Sequence, residues 1–347
     1  MTGMTALILP LIIIPAVLVG AAGSDADGGR LLVVNKGEST VSVIDLRDGS
    51  ELARIATGHA PHEVAVSPDG RVAVVTNYGT GPEPGGTLTV IDLYLLEAVA
   101  TIDLAGQLRP HGIAWFPDGR RVAVTTEGSG TLTIVDVPAR RVEAAIATGA
   151  SVSHEVALTP DGRRAFVANI GSGTVTVIDV EAGAVVRSIA TGRGAEGVAV
   201  SPDGSEVWVS NRAENTVTVI DARSLDVLAT LASEDFPIRV VFNPAGDRAL
   251  VTNARSAELR VFDVAGRTEV AAVPIRAPVA EGRDQVIAFE GSAVPIGVLA
   301  DPDGRYVYVA ASSADAVAVV DLDDGAVVRL IAVGREPDGL AWAPGIR

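Results

Sequence analysis

A unit of about 42 residues recurs along this chain of 347 residues and limits what the chain can fold into. One anchor of the unit is a turn of the form S-P-D-G or a variant of it. Successive prolines of these turns are 49, 43, 42, 42, 58 and 42 residues apart. They are Pro68, Pro117, Pro160, Pro202, Pro244, Pro302 and Pro344. The second anchor is V-I-D or a variant, at Asp45, Asp92, Asp136, Asp179, Asp221, Asp263 and Asp321. Such periodicity predicts units that bury their faces against one another.

Each unit is expected to form four short strands. In residues 153–191 the segments HEVALTP, RAFVANI, TVTVIDV and AVVRSIATG are separated by the turns PDGR, GSG and EAG. The period-two alternation of Val, Ile and Thr indicates strands rather than helices, and the Gly-rich turns indicate hairpins. Four antiparallel strands per unit are typical of a propeller blade. The sequence therefore predicts an all-β fold, a seven-bladed β-propeller.

The two ends of the repeat region predict how the ring closes. The segment RLLVVNKG at residues 30–37 matches the second strand of a unit, and DGLAWAPGIR at residues 338–347 matches a first strand. We therefore expect the C-terminal strand to complete the blade begun by residues 30–57, because closure hides faces that an open array would expose. On this interpretation residues 30–347 are one propeller domain.

The N-terminal residues follow a different pattern. Residues 6–22 are almost entirely apolar and are followed by small residues, although the first five residues contain no Lys or Arg. This run is short for a membrane span and fits a cleaved signal peptide, with an uncleaved anchor as the alternative. We assign residues 1–29 to a signal peptide and short linker. The protein is then expected to be secreted or periplasmic, or held at the cell surface.

Composition excludes several classes of partner and site. The chain carries 43 acidic and 27 basic residues, a formal net charge of −16 and no Cys. An acidic surface repels nucleic acid and anionic membranes, so neither is an expected partner beyond the signal segment. Disulfides and thiolate metal sites are ruled out. A protein or a small molecule remains as the expected partner.

The strand-and-turn signatures resemble a known repeat family. VAVVTN (72–77), VWVSN (207–211) and ALVTN (249–253) are each followed by a strand similar to T-x-T-V-I-D. In these features the chain resembles the YVTN family of β-propeller repeats. The resemblance implies a surface-layer or periplasmic propeller that acts as a binding or scaffold module. The segment before VPIGV (294–298) is also similar to propellers of quinone-cofactor dehydrogenase systems, which implies a periplasmic redox enzyme as a further partner.

The irregular parts of the repeat fall on one face of the predicted propeller. The stretches 78–86 and 274–293 account for the two long gaps between units. Both precede or connect the inner strands, on the face opposite the Pro-Asp-Gly turns. Extra length in a regular array is typical of a binding face.

Histidines concentrate on the same face, where the innermost strands begin. His62, His111 and His154 occupy one repeat position, and His59 lies just before the first of them. The other blades carry Glu196, Ile238, Ile296 and Asp338 at this position. The three imidazoles could bind Zn, Cu or Fe and activate a water molecule. Alternatively, duplication repeated a polar rim residue, and the side chains point between blades.

The next position along each innermost strand is the second candidate set. It holds Glu63, Gly112, Glu155, Gly197, Arg239, Gly297 and Gly339. Glu155, or Glu196 from the first set, is a candidate general base. Arg239 could bind a carboxylate ligand, or form an ion pair with Glu63 or Glu155. Asparagines end five of the second strands, where we expect turn capping, and Glu127 and Ala311 are assigned as breaks in that pattern.

Two functional hypotheses follow, and whether the protein is an enzyme stays open. The first is an exported binding or scaffold module that uses the face with the histidines and long loops. The alternative is a metal-dependent hydrolase, lyase or oxidoreductase with its site at the channel mouth. The sequence contains no G-x-S-x-G, H-E-x-x-H or G-x-x-x-x-G-K motif, so no single motif decides between them.

Overall fold

The computed structural model describes residues 28–279 and 287–345. Residues 1–27, which hold most of the predicted signal segment, lie outside this range, so export stays a prediction. Within the described range the chain forms seven four-stranded antiparallel sheets, the predicted seven-bladed β-propeller. Two short 3₁₀ helices, Lys36–Glu38 and Ser312–Ala314, follow second strands. The same part of the chain contains no helix with the length and apolar character needed to cross a membrane.

The strands of each blade run in chain order from the channel outward, except in the first blade. Blade 1 consists of β1 (Arg30–Asn35), β2 (Thr40–Asp45), β3 (Glu51–Ala56) and the C-terminal β28 (Pro337–Ala343). Blades 2 to 4 are β4 (Pro61–Val66), β5 (Val72–Gly79), β6 (Pro84–Asp92), β7 (Glu97–Asp103), β8 (Pro110–Trp115), β9 (Arg121–Thr126), β10 (Thr131–Asp136), β11 (Arg141–Ala147), β12 (Ser153–Leu158), β13 (Arg164–Asn169), β14 (Thr174–Asp179) and β15 (Ala184–Ala190). Blades 5 to 7 are β16 (Ala195–Val200), β17 (Glu206–Asn211), β18 (Thr216–Asp221), β19 (Val227–Ala232), β20 (Pro237–Phe242), β21 (Arg248–Asn253), β22 (Glu258–Asp263), β23 (Thr268–Pro274), β24 (Pro295–Ala300), β25 (Tyr306–Ala311), β26 (Ala316–Asp321) and β27 (Ala326–Ala332).

The ring closes by pairing the two ends of the described chain. Strand β28 pairs antiparallel with β1, with Leu31 opposite Trp342 and Leu32 opposite Ala341. The sheet order is β28-β1-β2-β3, so the C-terminal strand is the innermost strand of blade 1. This is the predicted closure, and it places Asp338 on the same channel wall as the first residues of the other innermost strands.

The apolar faces of neighbouring blades form the core. One cluster joins Leu32 and Val43 of blade 1 to Val64, Val75 and Ile91 of blade 2, all buried. Every second and third strand is mostly buried, whereas the outermost strands are mostly exposed, as in β15, whose first five residues are all exposed. No blade could bury both faces of its sheet alone, so the ring is the folding unit.

Each innermost strand contains an irregularity at its channel end. In β12, Ser153 pairs with Asn169 and Glu155 with Ala168, which leaves His154 as an extra residue. Register shifts recur at the same place in the other six innermost strands. A β-bulge redirects side chains that strict alternation would send to opposite faces. Consecutive residues such as His154 and Glu155 therefore both face the channel mouth.

Buried hydroxyls fasten these bulges to the next blade. Thr125 Oγ1 accepts a hydrogen bond from the Gly112 amide at 2.8 Å and donates to the His154 carbonyl at 2.5 Å. Thr76 links blade 2 to His111 of blade 3 in the same way. Ser210 joins blade 5 to Ile238, and Thr252 donates from blade 6 to the Ile296 carbonyl. These contacts fix the backbone on which the candidate site is built.

We predict that Thr125→Val lowers the free energy of unfolding by about 1–3 kcal/mol, because it leaves the Gly112 amide and His154 carbonyl buried without this partner. Urea denaturation measures the change. Thr101→Val, on the exposed face of β7, is the control and should change stability little. Equal effects of the two substitutions would show that the inter-blade hydroxyl contributes nothing specific.

Candidate functional site

The first candidate set, here called the inner ring, lies at the mouth of the central channel. It consists of His62, His111, His154, Glu196, Ile238, Ile296 and Asp338. His111, Glu196 and Asp338 are each only 2% exposed, and His154 is 8% exposed. Five of the seven blades thus direct an ionisable group to one region, and all of these groups except the partly exposed His62 are buried. His59 is exposed and lies outside this group, and its side chain forms no ion pair or ring contact within the described part of the chain.

The second ring alternates glycine with charge around the axis. Glu63, Glu155 and Arg239 come from blades 2, 4 and 6, and the remaining positions are glycines. The glycines are required by close approach. A Cβ on Gly112 would lie 2.8 Å from the Glu155 carboxylate and from the His154 carbonyl oxygen. The small residues therefore leave room for the charged side chains of adjacent blades.

Arg239 is the centre of an ion-pair network that spans the channel. Its Nη2 lies 2.7 Å from Glu63 and 3.1 Å from Glu155, and the guanidinium reaches Glu196 at 3.7 Å and Asp338 at 4.0 Å. Arg239 therefore forms the expected ion pairs, with both Glu63 and Glu155. Burial disfavours its charge, but the four carboxylates outweigh burial and raise the pKa of Arg239.

The pKa of Glu63 is raised as well, but for a carboxyl group this favours the neutral form. Burial and the nearby Glu155 and Asp338 carboxylates raise its pKa to about 8, despite the ion pair with Arg239. Glu63 therefore takes up a proton more readily than a solvent-exposed glutamate does.

The three inner-ring histidines pack against one another. Ring centroids are 4.5 Å apart for His62 and His111, and 3.7 Å apart for His111 and His154. The Tyr78 ring covers this stack, with its centroid 4.6 Å from that of His62. The imidazoles therefore converge instead of pointing between blades, because the bulge places them in the channel mouth.

His62 is committed to the first blade. Its Nδ1 lies 3.0 Å from Asp338, which is also 3.6 Å from the Nζ atom of Lys36. Burial would raise the pKa of Asp338, but Lys36, the hydrogen bond from His62 and Arg239 together lower it. Burial lowers the pKa of His62 in spite of this carboxylate. Asp338 thus anchors His62 on the C-terminal strand.

His154 lies between two carboxylates. Its Nδ1 contacts Glu127, and its Nε2 faces Glu196 at 3.4 Å. Arg212 pairs with Glu196 at 2.7 Å. Burial opposes protonation of His154, but the two carboxylates outweigh it and raise its pKa to about 9. By contrast, burial together with the neighbouring His154 and His62 holds the pKa of His111 well below its usual value.

Buried polar atoms of the inner and second rings have no aligned hydrogen bond within the described chain. They are His62 Nδ1, His111 Nδ1, His154 Nε2, Glu155 Oε1, Glu196 Oε2, Arg239 Nη1 and Asp338 Oδ1, and three of these residues, His111, His154 and Glu155, lie side by side. The same three residues offer ligand atoms that all lie within 4.8 Å of one another. The Nδ1 atom of His111 and the Oε1 atom of Glu155 lie 3.2 Å apart, so the imidazole and the carboxylate already face one another. Two imidazoles and one carboxylate form a set that zinc and related ions accept. Glu155 thus takes the place that the sequence hypothesis gave to His62.

Sequence reasoning assigned Glu127 to the wrong repeat position. Thr126 pairs with Thr131 as Asn77 pairs with Thr87, so Thr126 occupies the asparagine position and Glu127 follows it. The residues that follow this position form a third ring: Lys36, Tyr78, Glu127, Ile170, Arg212, Ala254 and Ser312. Four of them contact inner-ring side chains. Alignment on strand ends would have identified this ring.

The blades without an ionisable inner-ring residue form an apolar side of the mouth. Ile238 and Ile296 pack with Val294 and with Phe236 and Phe289, whose ring centroids are 5.1 Å apart. Phe289 belongs to the long stretch before blade 7. Part of that irregular segment therefore covers the apolar side, and the titratable side remains the candidate site.

More than half of the chain matches a known protein family. The model of the cytochrome D1 heme domain family matches residues 117–337, which is more than half of the chain. The chain belongs to this family. The match supports the β-propeller and leaves the more specific YVTN assignment as a prediction. A search of curated proteins found no match.

Solved structures confirm the fold. The periplasmic gluconolactonase of Pseudomonas aeruginosa is 20% identical, with a TM-score of 0.72 over 91% of this chain and 99% of that one. A functionally unknown protein from Desulfotomaculum acetoxidans is 16% identical, with a TM-score of 0.73, 90% of this chain and 98% of that one. Hydrazine synthase of Kuenenia stuttgartiensis is 21% identical, with a TM-score of 0.68, 80% of this chain and 88% of that one. At these identities the likeness shows the fold alone.

The family name implies a haem group, and the channel mouth does not fit one. Contacts from Arg239 to carboxylates of four other blades occupy the channel at the level of the second ring. The three imidazoles pack ring against ring under Tyr78, with no slot between them for a planar macrocycle. The described residues suit a single ion far better than a haem.

We predict that Arg239→Met lowers the free energy of unfolding by about 3–5 kcal/mol, because it leaves buried carboxylates without their cation. Urea denaturation at neutral pH measures the loss. The double variant Arg239→Met with Glu63→Gln should recover part of it, since one acidic group is removed. Arg71→Met, which removes an arginine whose side chain is 83% exposed, is the control and should change stability little. No loss in Arg239→Met would contradict a central role for this residue.

Proposed function

We propose that this protein is an exported ligand-binding β-propeller whose channel mouth holds a divalent transition-metal ion. The observation that carries the proposal is the convergence of buried ligand atoms of His111, His154 and Glu155 within 4.8 Å of one another. Their convergence gives two nitrogen ligands and one oxygen ligand, with further coordination positions left for water or a ligand. Zinc is the ion that this donor set favours, with copper and iron as alternatives.

The distances are compatible with a modest closure on the ion. Bonds of about 2.0–2.2 Å place tetrahedral donor atoms roughly 3.4 Å apart. The donor atoms of the three residues lie within 4.8 Å of one another, so side-chain movements of about an ångström bring them to bonding distance from one ion. Loading also requires neutral imidazoles. His111 already favours the neutral form, since burial and its neighbouring histidines lower its pKa. His154, whose pKa the carboxylates of Glu127 and Glu196 raise to about 9, must release a proton when the ion binds.

The burial of the site supports a small molecule as the partner. His111 and Glu196 are each 2% exposed, so a protein surface cannot reach the donor atoms directly. The apolar N-terminal segment supports export, and the gluconolactonase with a similar fold is periplasmic by its description. A periplasmic redox enzyme as a further partner stays a proposal carried by the sequence resemblance alone.

We predict that the purified protein binds one equivalent of Zn²⁺, measured by isothermal titration and by elemental analysis after dialysis. His111→Ala and His154→Ala should weaken binding beyond the roughly 10–100-fold typical of changes outside the ligand set. His59→Ala is the matched control, since this histidine lies outside the cluster. His62→Ala should retain most of the affinity, because His62 pairs with Asp338. Absence of binding by the unaltered protein, or an equal loss in His59→Ala, would overturn the proposal.

Glu196 favours a second candidate, a metal-dependent hydrolase. Its carboxylate faces His154 Nε2 at 3.4 Å and is held by Arg212, which places a base beside the proposed ion. An ion held there would polarise the carbonyl group of an ester or lactone, and Glu196 would accept a proton from the attacking water molecule. The acyl C–O bond would then break, and the leaving oxygen would take that proton back from Glu196.

We predict that, if this second candidate is correct, the Zn²⁺-loaded protein hydrolyses glucono-δ-lactone faster than buffer alone does. The release of acid measures the rate. Glu196→Gln should reduce the rate by about 10²–10⁴-fold while Zn²⁺ stays bound. A rate equal to that of buffer, or an unchanged rate in Glu196→Gln, would exclude this hydrolase and leave the ligand-binding function.

A further inference from the structure

The third ring contains one carboxylate that the proposed metal set does not use. Glu127 is the residue after the asparagine-equivalent Thr126, and the equivalent residues of the other blades are all of different type. Its role in the fold is therefore not a feature of the repeat. Its side chain is 10% exposed and lies directly beside His154.

Both carboxylate oxygens of Glu127 are occupied. Oε1 contacts Nδ1 of His154, and Oε2 accepts a hydrogen bond of 2.5 Å from the hydroxyl of Tyr78. Tyr78 in turn has its ring against His62 and under the guanidinium of Arg109, 5.2 Å from the ring centre. Glu127 is thus held in one orientation by groups from blades 2 and 4.

The contact with Nδ1 determines which nitrogen of His154 faces the cluster. Since Nδ1 is directed at Glu127, Nε2 is left for the channel side, where it has no aligned hydrogen bond. Carboxylates that accept a hydrogen bond from one imidazole nitrogen fix the ring and make the other nitrogen a stronger ligand. Glu127 has the position for this role, and Glu196 lies on the opposite side of the ring.

We propose that Glu127 is a positioning residue for the metal centre. It orients His154 so that Nε2 binds the ion, and Tyr78 in turn holds Glu127 in place. This inference rests on the proposed function, because it assumes that His154 is a metal ligand. It adds a residue that lies outside the ligand set and acts only through His154.

The test compares Co²⁺ and Zn²⁺ binding by the full chain and by three variants. Glu127→Ala should weaken binding about 10–100-fold and change the visible absorption of the Co²⁺ form, since the imidazole is no longer fixed. Glu127→Gln keeps a carbonyl acceptor for the Nδ1 hydrogen and should restore most of the affinity and the absorption. Tyr78→Phe keeps the carboxylate and should cause a smaller loss than Glu127→Ala. Metal-free melting temperatures identify any variant that fails to fold.

The outcomes separate the two proposals. If the unaltered protein binds neither ion, the proposed function fails. If the unaltered protein binds Co²⁺ and Glu127→Ala binds it equally well with the same absorption, the positioning role alone is overturned. Equal loss in Glu127→Gln and Glu127→Ala also overturns that role, because it would make Glu127 a direct ligand through its charge.

Discussion

The crowding of seven innermost strands around one axis is the constraint on which the rest of this molecule depends. Backbone atoms of neighbouring first strands approach so closely that a Cβ on Gly197 would lie 2.7 Å from the Ile238 carbonyl oxygen. Side chains fit at this level only where the adjacent blades carry glycine. The alternation of glycine with Glu63, Glu155 and Arg239 satisfies that requirement. The same crowding brings charges from distant parts of the chain within ion-pair distance.

Burial of those charges is sustained by pairing across blades. Arg239 reaches Asp338, which lies on the strand that closes the ring, and Glu155, which belongs to the proposed metal set. A buried ion pair contributes little net stability, but loss of one partner is strongly destabilising. Closure of the propeller and the geometry of the candidate site therefore depend on one another. Loading an ion would require Glu155 to share its carboxylate between the ion and Arg239.

The fold could be predicted from the sequence because each repeat is formed by neighbouring residues in the chain. The site could be predicted only in part because it joins residues from separate blades. Strand alternation and turn spacing gave the seven blades and the pairing of β28 with β1. The inner-ring position of the histidines also followed from alignment. The direction of their side chains did not, since a one-residue bulge reverses alternation and leaves no trace in the spacing. The contacts of Glu127 were missed for a different reason, because they are with blades 2 and 4 and not with its own strand neighbours.

The distribution of differences among the repeats argues against a polar rim that duplication merely copied. At positions that hold the blades together the residue type recurs, as with the asparagines of β1, β5, β13, β17 and β21. In the third ring the type changes from blade to blade, and its members complement side chains of the inner ring: Lys36 with Asp338, Glu127 with His154, and Arg212 with Glu196. Copying alone would produce identical groups, and identical buried charges repel. The complementary pairs between the two rings therefore indicate that residues of different blades are matched to one another at the channel mouth.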